Sequence, residues 1–169
     1  MLLSAASIER TEPTLEGDEQ AVLWSMLDYY RASLLLKCAD LDDAALRRRP
    51  LVSNLSLLGL LRHLTEVEHY WFAICFAGGP DTSIYCAENP DGDFDDEGDP
   101  ATDLALHLEV IASSKILATG HSLDARAKGL RRGAPVNLRF IAVHLIEEYA
   151  RHLGHADLLR EAIDGRVGD

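Results

Sequence analysis

The segment from Asn137 to Gly165, NLRFIAVHLIEEYARHLGHADLLREAIDG, constrains the fold more than any other part of the chain. At about 100° per residue, Ile141, Leu145, Glu148, His152, His155, Ala156, Leu159 and Ile163 fall on a single stripe. Asn137 is placed to cap the helix that this periodicity predicts. A long helix with one mostly apolar stripe needs other elements to bury it against, so the stripe faces a core. Yet the stripe also holds a carboxylate and two imidazoles, each costly to bury without a partner, and a divalent cation is one partner that removes the cost. Glu148 and His152 stand one turn apart, the spacing at which a helix offers two ligands to one ion.

Three other stretches supply the partners. Asp18 is an N-cap for a helix to about Ala39, with Leu23, Trp24, Leu27, Tyr30, Leu34 and Cys38 on one face. Residues 42–49, DDAALRRR, open with carboxylates and close with arginines before Pro50, the charge order of a short connecting helix. Ser56 caps a second long helix ending at Gly78-Gly79-Pro80, with Leu57, Leu60, Leu61, Leu64, Val67, Trp71 and Ile74 as its apolar face and His63 at the edge. Between Asp81 and Asp99 lie eight carboxylates, no Lys or Arg, and several turn formers, which predicts an exposed loop. Pro100 starts a third helix up to Gly120, with Leu104, Leu108, Ile111 and Ala118 facing inward. Residues 121–136 form the last connection. With almost no alternating strand pattern, the expectation is an all-α fold, an antiparallel four-helix bundle with one long crossover loop.

A chain of 169 residues, 47% of them hydrophobic, builds one substantial core. The expected organisation is an N-terminal arm over residues 1–16 and a single domain over 17–169. A net charge of −12 argues against nucleic acid or an anionic membrane as partner. No apolar run is long enough to span a bilayer, and MLLSAASIER lacks the pattern of a signal peptide, so the expected location is cytoplasmic. Three cysteines without a CxxC pair imply no disulfide framework.

Helices 2 and 4 of a bundle can present side chains to one point, which adds His63 to Glu148 and His152. Three protein ligands with an open position make a catalytic rather than a structural zinc arrangement. The same residues are also accommodated by a His63 hydrogen-bonded to Glu148 with no metal at all. Other groupings are weaker. Asp91-x-Asp93-x-Asp95 begins like a calcium loop, but its sixth position is Asp96 and its twelfth Thr102. Glu66-x-x-His69 is half of a di-iron motif, and helix 4 lacks the other half. His107 and His121 have no spaced partners and are expected on the surface.

The strings SLLGLLRHLTEVEHYWF and VHLIEEYARHLGHADLLREAIDG resemble the DinB superfamily, in particular its DUF664 branch, which is similar to the metal-binding domain of mycothiol-dependent maleylpyruvate isomerase. The resemblance runs from about Gly17 onward. It implies a four-helix bundle of DinB/YfiT-like type holding a divalent metal through His63, Glu148 and His152, with Leu153-Gly154-His155 in place of the family's x-Gly-Gln step. Many relatives have His where this chain has Glu148, so the ligand set looks like the two-histidine, one-carboxylate set of the isomerase. His155 and His144 are then metal-supporting or substrate-side candidates. Zinc is the expected metal, ahead of nickel, iron and manganese. The implied function is a metal-dependent transferase acting with a low-molecular-weight thiol such as mycothiol and a small electrophile, in a homodimer. A non-catalytic dimeric bundle that binds metal or ligand for sensing or sequestration is the alternative from another class.

Overall fold

The computed structural model describes residues 2–95 and 98–168. It is mostly helical, with one small antiparallel sheet. The long helices are α1 (Glu19–Cys38), α3 (Leu57–His69), α4 (Pro100–Ala118) and α5 (Leu138–Asp164), with a one-turn α2 (Asp43–Leu46) between the first two. Each long helix begins on a side chain that accepts from an N–H otherwise left without an intrahelical partner. Asp18 accepts from Ala21, Ser56 from Gly59, Asp99 from Thr102 and Asn137 from Phe140. At the far end of α5, Gly165 takes the left-handed conformation (φ 81°) that terminates helices at little cost to a glycine.

Helix α1 packs along α5, and α3 packs against both α4 and α5. Leu27 and Leu34 of α1, Leu57, Leu60 and Leu64 of α3, and Ile141, Leu145, Ala156 and Leu159 of α5 are fully buried. Each such leucine or isoleucine contributes about 1.5–3 kcal/mol relative to its exposed state. The core also contains charge. Arg31 on α1 donates to both oxygens of Glu68 on α3, at 2.6 and 2.8 Å, and the Tyr149 hydroxyl on α5 donates to the same carboxylate at 3.2 Å. One buried carboxylate therefore ties three helices together.

The structure corrects the sequence-based expectation at three places in the fold. The last connection is not an irregular loop, because β1 (Arg126–Arg131) and β2 (Ala134–Asn137) pair there as a hairpin. Its two-residue turn, Arg132-Gly133, has φ positive at both positions, the geometry that matches strand twist. The inward residues of β1 are Ala127, Gly129 and Arg131, two small and one charged, so no apolar alternation marked the strand. Secondly, the helix after Ser56 changes at Tyr70 to a π-helical turn, Tyr70–Phe76. Thirdly, α4 presents a different face from the one expected: Leu108 is 44% exposed, whereas His107 is fully buried. Apolar residues occur on several sides of α4, so periodicity alone did not choose a face. Thr65 donates its hydroxyl to Leu61 O and receives the Nδ1–H of His107 at 2.8 Å, which supplies the polar partner a buried imidazole needs. No helix among the described residues is long and apolar enough to cross a membrane.

Candidate metal centre

His63 on α3 faces α5. Its ring meets that of His152 edge-on at a centroid distance of 4.6 Å. Glu148 stands one helical turn before His152, with 3.5 Å between Oε2 and Nε2. One ligand atom from each of His63, Glu148 and His152 lies within 4.8 Å of the others, a grouping able to hold a metal ion. The three side chains retain only 21, 15 and 12% of their exposure. Burial, followed by the nearby His63 and His155, lowers the pKa of His152 to about 4. Its imidazole is therefore neutral near pH 7 and has a lone pair to give.

The sequence left open a His63 hydrogen-bonded to Glu148, but its carboxylate partner is a different one. Nδ1 of His63 lies 2.7 Å from Oδ2 of Asp93, and Phe94 stacks on the imidazole at 5.0 Å with planes 23° apart. That contact leaves Nε2 as the free nitrogen of His63. Both residues come from the acidic loop, expected to be exposed, where Gly92 and Asp93 are in fact buried. Arg62 donates to Asp95 O and Gly92 O, and Arg49 to Phe94 O, which holds the loop backbone in place. Gly92 is needed here because a Cβ at this position would lie 2.3 Å from Tyr85 O. Glu66 accepts from Ser83 Oγ, Ile84 N and Tyr85 N, and His69 Nε2 donates to Thr82 O. The two members of the rejected di-iron motif thus anchor the loop. In the calcium-like string, Asp93 serves His63, and Asp96 lies outside the described residues.

The centre opens on a cleft of ≈ 530 Å³ lined by His63, Glu148, His144, Trp71, Tyr70 and Arg131, among others. His144 packs edge-on against Trp71 at 4.8 Å and lies 3.4 Å from both Glu147 and Glu148. His144, Glu147 and Glu148 form a second group of converging ligand atoms, but Glu147 is exposed and paired with Arg151. His155 lies beside His152, 5.4 Å between centroids, and does not join either group. Its Nδ1, like that of His152, is buried without a hydrogen-bond partner. His121 is exposed as expected, and His107 is in the core.

The family model described as mycothiol S-transferase matches residues 22–165, from the first turn of α1 through the C-terminus of α5. The chain belongs to this DinB-like family. The matched span of this mycothiol S-transferase family member includes His63, Glu148 and His152 as well as Asp93 and Arg131. No curated protein matches the chain. Sequence reasoning missed Asp93, Phe94 and Arg131. The one signal for the first two was that Phe94 is the only aromatic residue between Cys86 and Pro100, which is unusual for a purely solvated acidic run.

Proposed function

We propose that this chain is a metal-dependent S-transferase in which His63, Glu148 and His152 hold one divalent ion, with zinc the first choice, beside a cleft that takes a low-molecular-weight thiol such as mycothiol and a small electrophile. The observation that carries this reading is the convergence of two imidazoles and a carboxylate at the cleft of a mycothiol S-transferase family member. The donors suit such an ion: His63 has Nε2 free because Asp93 occupies Nδ1, His152 is neutral, and Glu148 supplies compensating charge. An ion bound there would lower the pKa of a thiol from its free value near ~8.5, raising the fraction able to attack at neutral pH.

The protein's own residues do the rest. Trp71 and Tyr70, with ring centroids 5.3 Å apart, line the cleft and give it an apolar wall. His144 bridges Glu148 to the exposed Glu147 and gives a departing thiol proton a route to solvent. The helical packing is read as a four-helix bundle of DinB/YfiT-like type with its long crossover between α3 and α4. In that arrangement α3 and α5 present ligands to a common point.

Protein purified without added metal or chelator is expected to carry about one divalent ion per chain. His152→Ala should lose most of it, while the exposed His121→Ala should not. After cobalt replacement, mycothiol should produce a sulfur-to-cobalt charge-transfer band with a midpoint at lower pH than the free thiol's titration. Equal metal loading in the two variants would overturn the ligand assignment. Metal-loaded protein whose cobalt spectrum ignores millimolar thiol would overturn the transferase reading in favour of a non-catalytic metal-binding bundle.

A further inference from the structure

The mouth of the cleft carries a cation that the proposed metal chemistry does not use. Arg131 is the last residue of β1, on the inward face of the hairpin. Its guanidinium carbon lies 5.7 Å from the ring centroid of Trp71 and 5.9 Å from that of Tyr70, and it lines the same cleft as His63 and Glu148. Aromatic faces hold a guanidinium in place while leaving its in-plane N–H edge free for an acceptor. Among the described residues, the Arg131 side chain has no hydrogen bond and no ion pair. Other arginines packed against the body of the protein are committed: Arg31 to Glu68, Arg62 to the loop carbonyls and Arg160 to Asp164.

The carboxylates around the cleft are largely engaged elsewhere. Asp93 faces His63, Glu66 is saturated by three loop donors, and Glu148 sits between two histidines. Asp81, at the exposed rim, makes no ion pair with Arg131. A half-buried guanidinium beside two aromatic rings, without a protein acceptor, is a fork for a planar anion. The surrounding carboxylates, in a chain of net charge −12, favour a singly charged carboxylate over a doubly charged phosphate. The cleft volume of ≈ 530 Å³ is in the range of small-molecule sites.

We propose that Arg131 is the anion receptor of this cleft and that the electrophilic second substrate is a small carboxylate. This rests on the S-transferase reading of the same site, with the thiol at the metal and the carboxylate at the hairpin.

The test uses the zinc-loaded full chain without thiol, titrated with monomethyl succinate, a monoanion, and with the neutral dimethyl succinate, followed by isothermal titration calorimetry in every variant and, in the wild type, by NMR at the Arg131 Nε–H signal. The monoanion should bind at least about tenfold more tightly than the diester. Arg131→Gln should lose about tenfold in monoanion affinity, the loss expected for a charge-assisted hydrogen-bonded pair, and Arg131→Lys should fall between. Zinc content and melting temperature of each variant check that the fold and metal survive; if Arg131→Gln fails to fold, Arg131→Lys carries the comparison. Monoanion binding that persists unchanged in Arg131→Gln would belong to the metal and would overturn the assignment. So would equal binding of ester and acid, or no binding at millimolar concentration. Because no thiol is present, this result is independent of the cobalt spectrum that decides the transferase reading.

Discussion

Oδ2 of Asp93 lies 2.7 Å from Nδ1 of His63, so a residue 30 positions away, in an acidic loop, fixes which nitrogen of that imidazole faces the centre. Buried carboxylates in this position orient a ligating histidine and raise its basicity. Asp93→Asn is therefore expected to weaken zinc binding by about 10–100-fold. Asp91→Asn, at an exposed position of the same loop, should leave it unchanged. Competition against a chromophoric chelator measures both. The same commitment of Asp93 predicts that millimolar calcium leaves the melting temperature unaltered, since a cation specific for the native state would raise it.

The Arg31–Glu68 pair leads to a stability prediction. Both groups are buried, and Tyr149 adds a third donor, so removing Glu68 leaves the buried Arg31 guanidinium with only the half-exposed Asp28 as an ionic partner. Glu68→Ala should destabilise the protein by about 3–5 kcal/mol, read from urea unfolding. Replacing Arg31 by Met and Glu68 by Leu together should recover most of that loss, because the stranded charge is then gone. A single Glu68 variant of wild-type stability would show that the pair contributes little to the core.

His107 gives stability a pH dependence. Burial, reinforced by the charge of Arg31, lowers its pKa from 6.5 to about 3, so the unfolded chain binds a proton that the folded one refuses. The contribution is complete above pH 6.5 and is lost as pH falls through the window from 6.5 to about 3. Thr65 on α3 and Arg31 on α1 are the groups that face it. A His107→Gln variant should lose less stability than wild type between pH 7 and pH 5.5, above the range in which most carboxylates titrate. Parallel losses in the two proteins would exclude His107 as the source.

Much of the helical skeleton was legible because its signals are local. Asp18, Ser56, Pro100 and Asn137 mark helix starts through chemistry confined to one turn, and the leucine stripes of α1, α3 and α5 repeat strongly enough to name their buried faces. His63, Glu148 and His152 could be proposed together because ionisable residues on or beside apolar stripes are conspicuous. Asp93 could not, since a carboxylate among seven others in its loop has no distinguishing local context until the chain is folded. His107 was hidden for the opposite reason: its partner Thr65 lies on another helix, and α4 is apolar on several sides. The hairpin failed to register because one of its inward positions is a glycine and another an arginine.

That glycine sets a clearance. At Gly129 a Cβ would approach Cys75 O at 3.0 Å and Cys75 Cα at 3.2 Å, so β1 rests against the π-helical turn closely enough that an added methyl group would push the two backbones apart slightly. The spacing between the hairpin and the wall bearing Trp71 is thus fixed by a missing methyl group. A side chain at position 129 would act as a shim, lifting the strand that carries Arg131 and widening the entrance without touching His63, Glu148 or His152. For anyone reshaping what this cleft admits, the gauge is a single hydrogen atom.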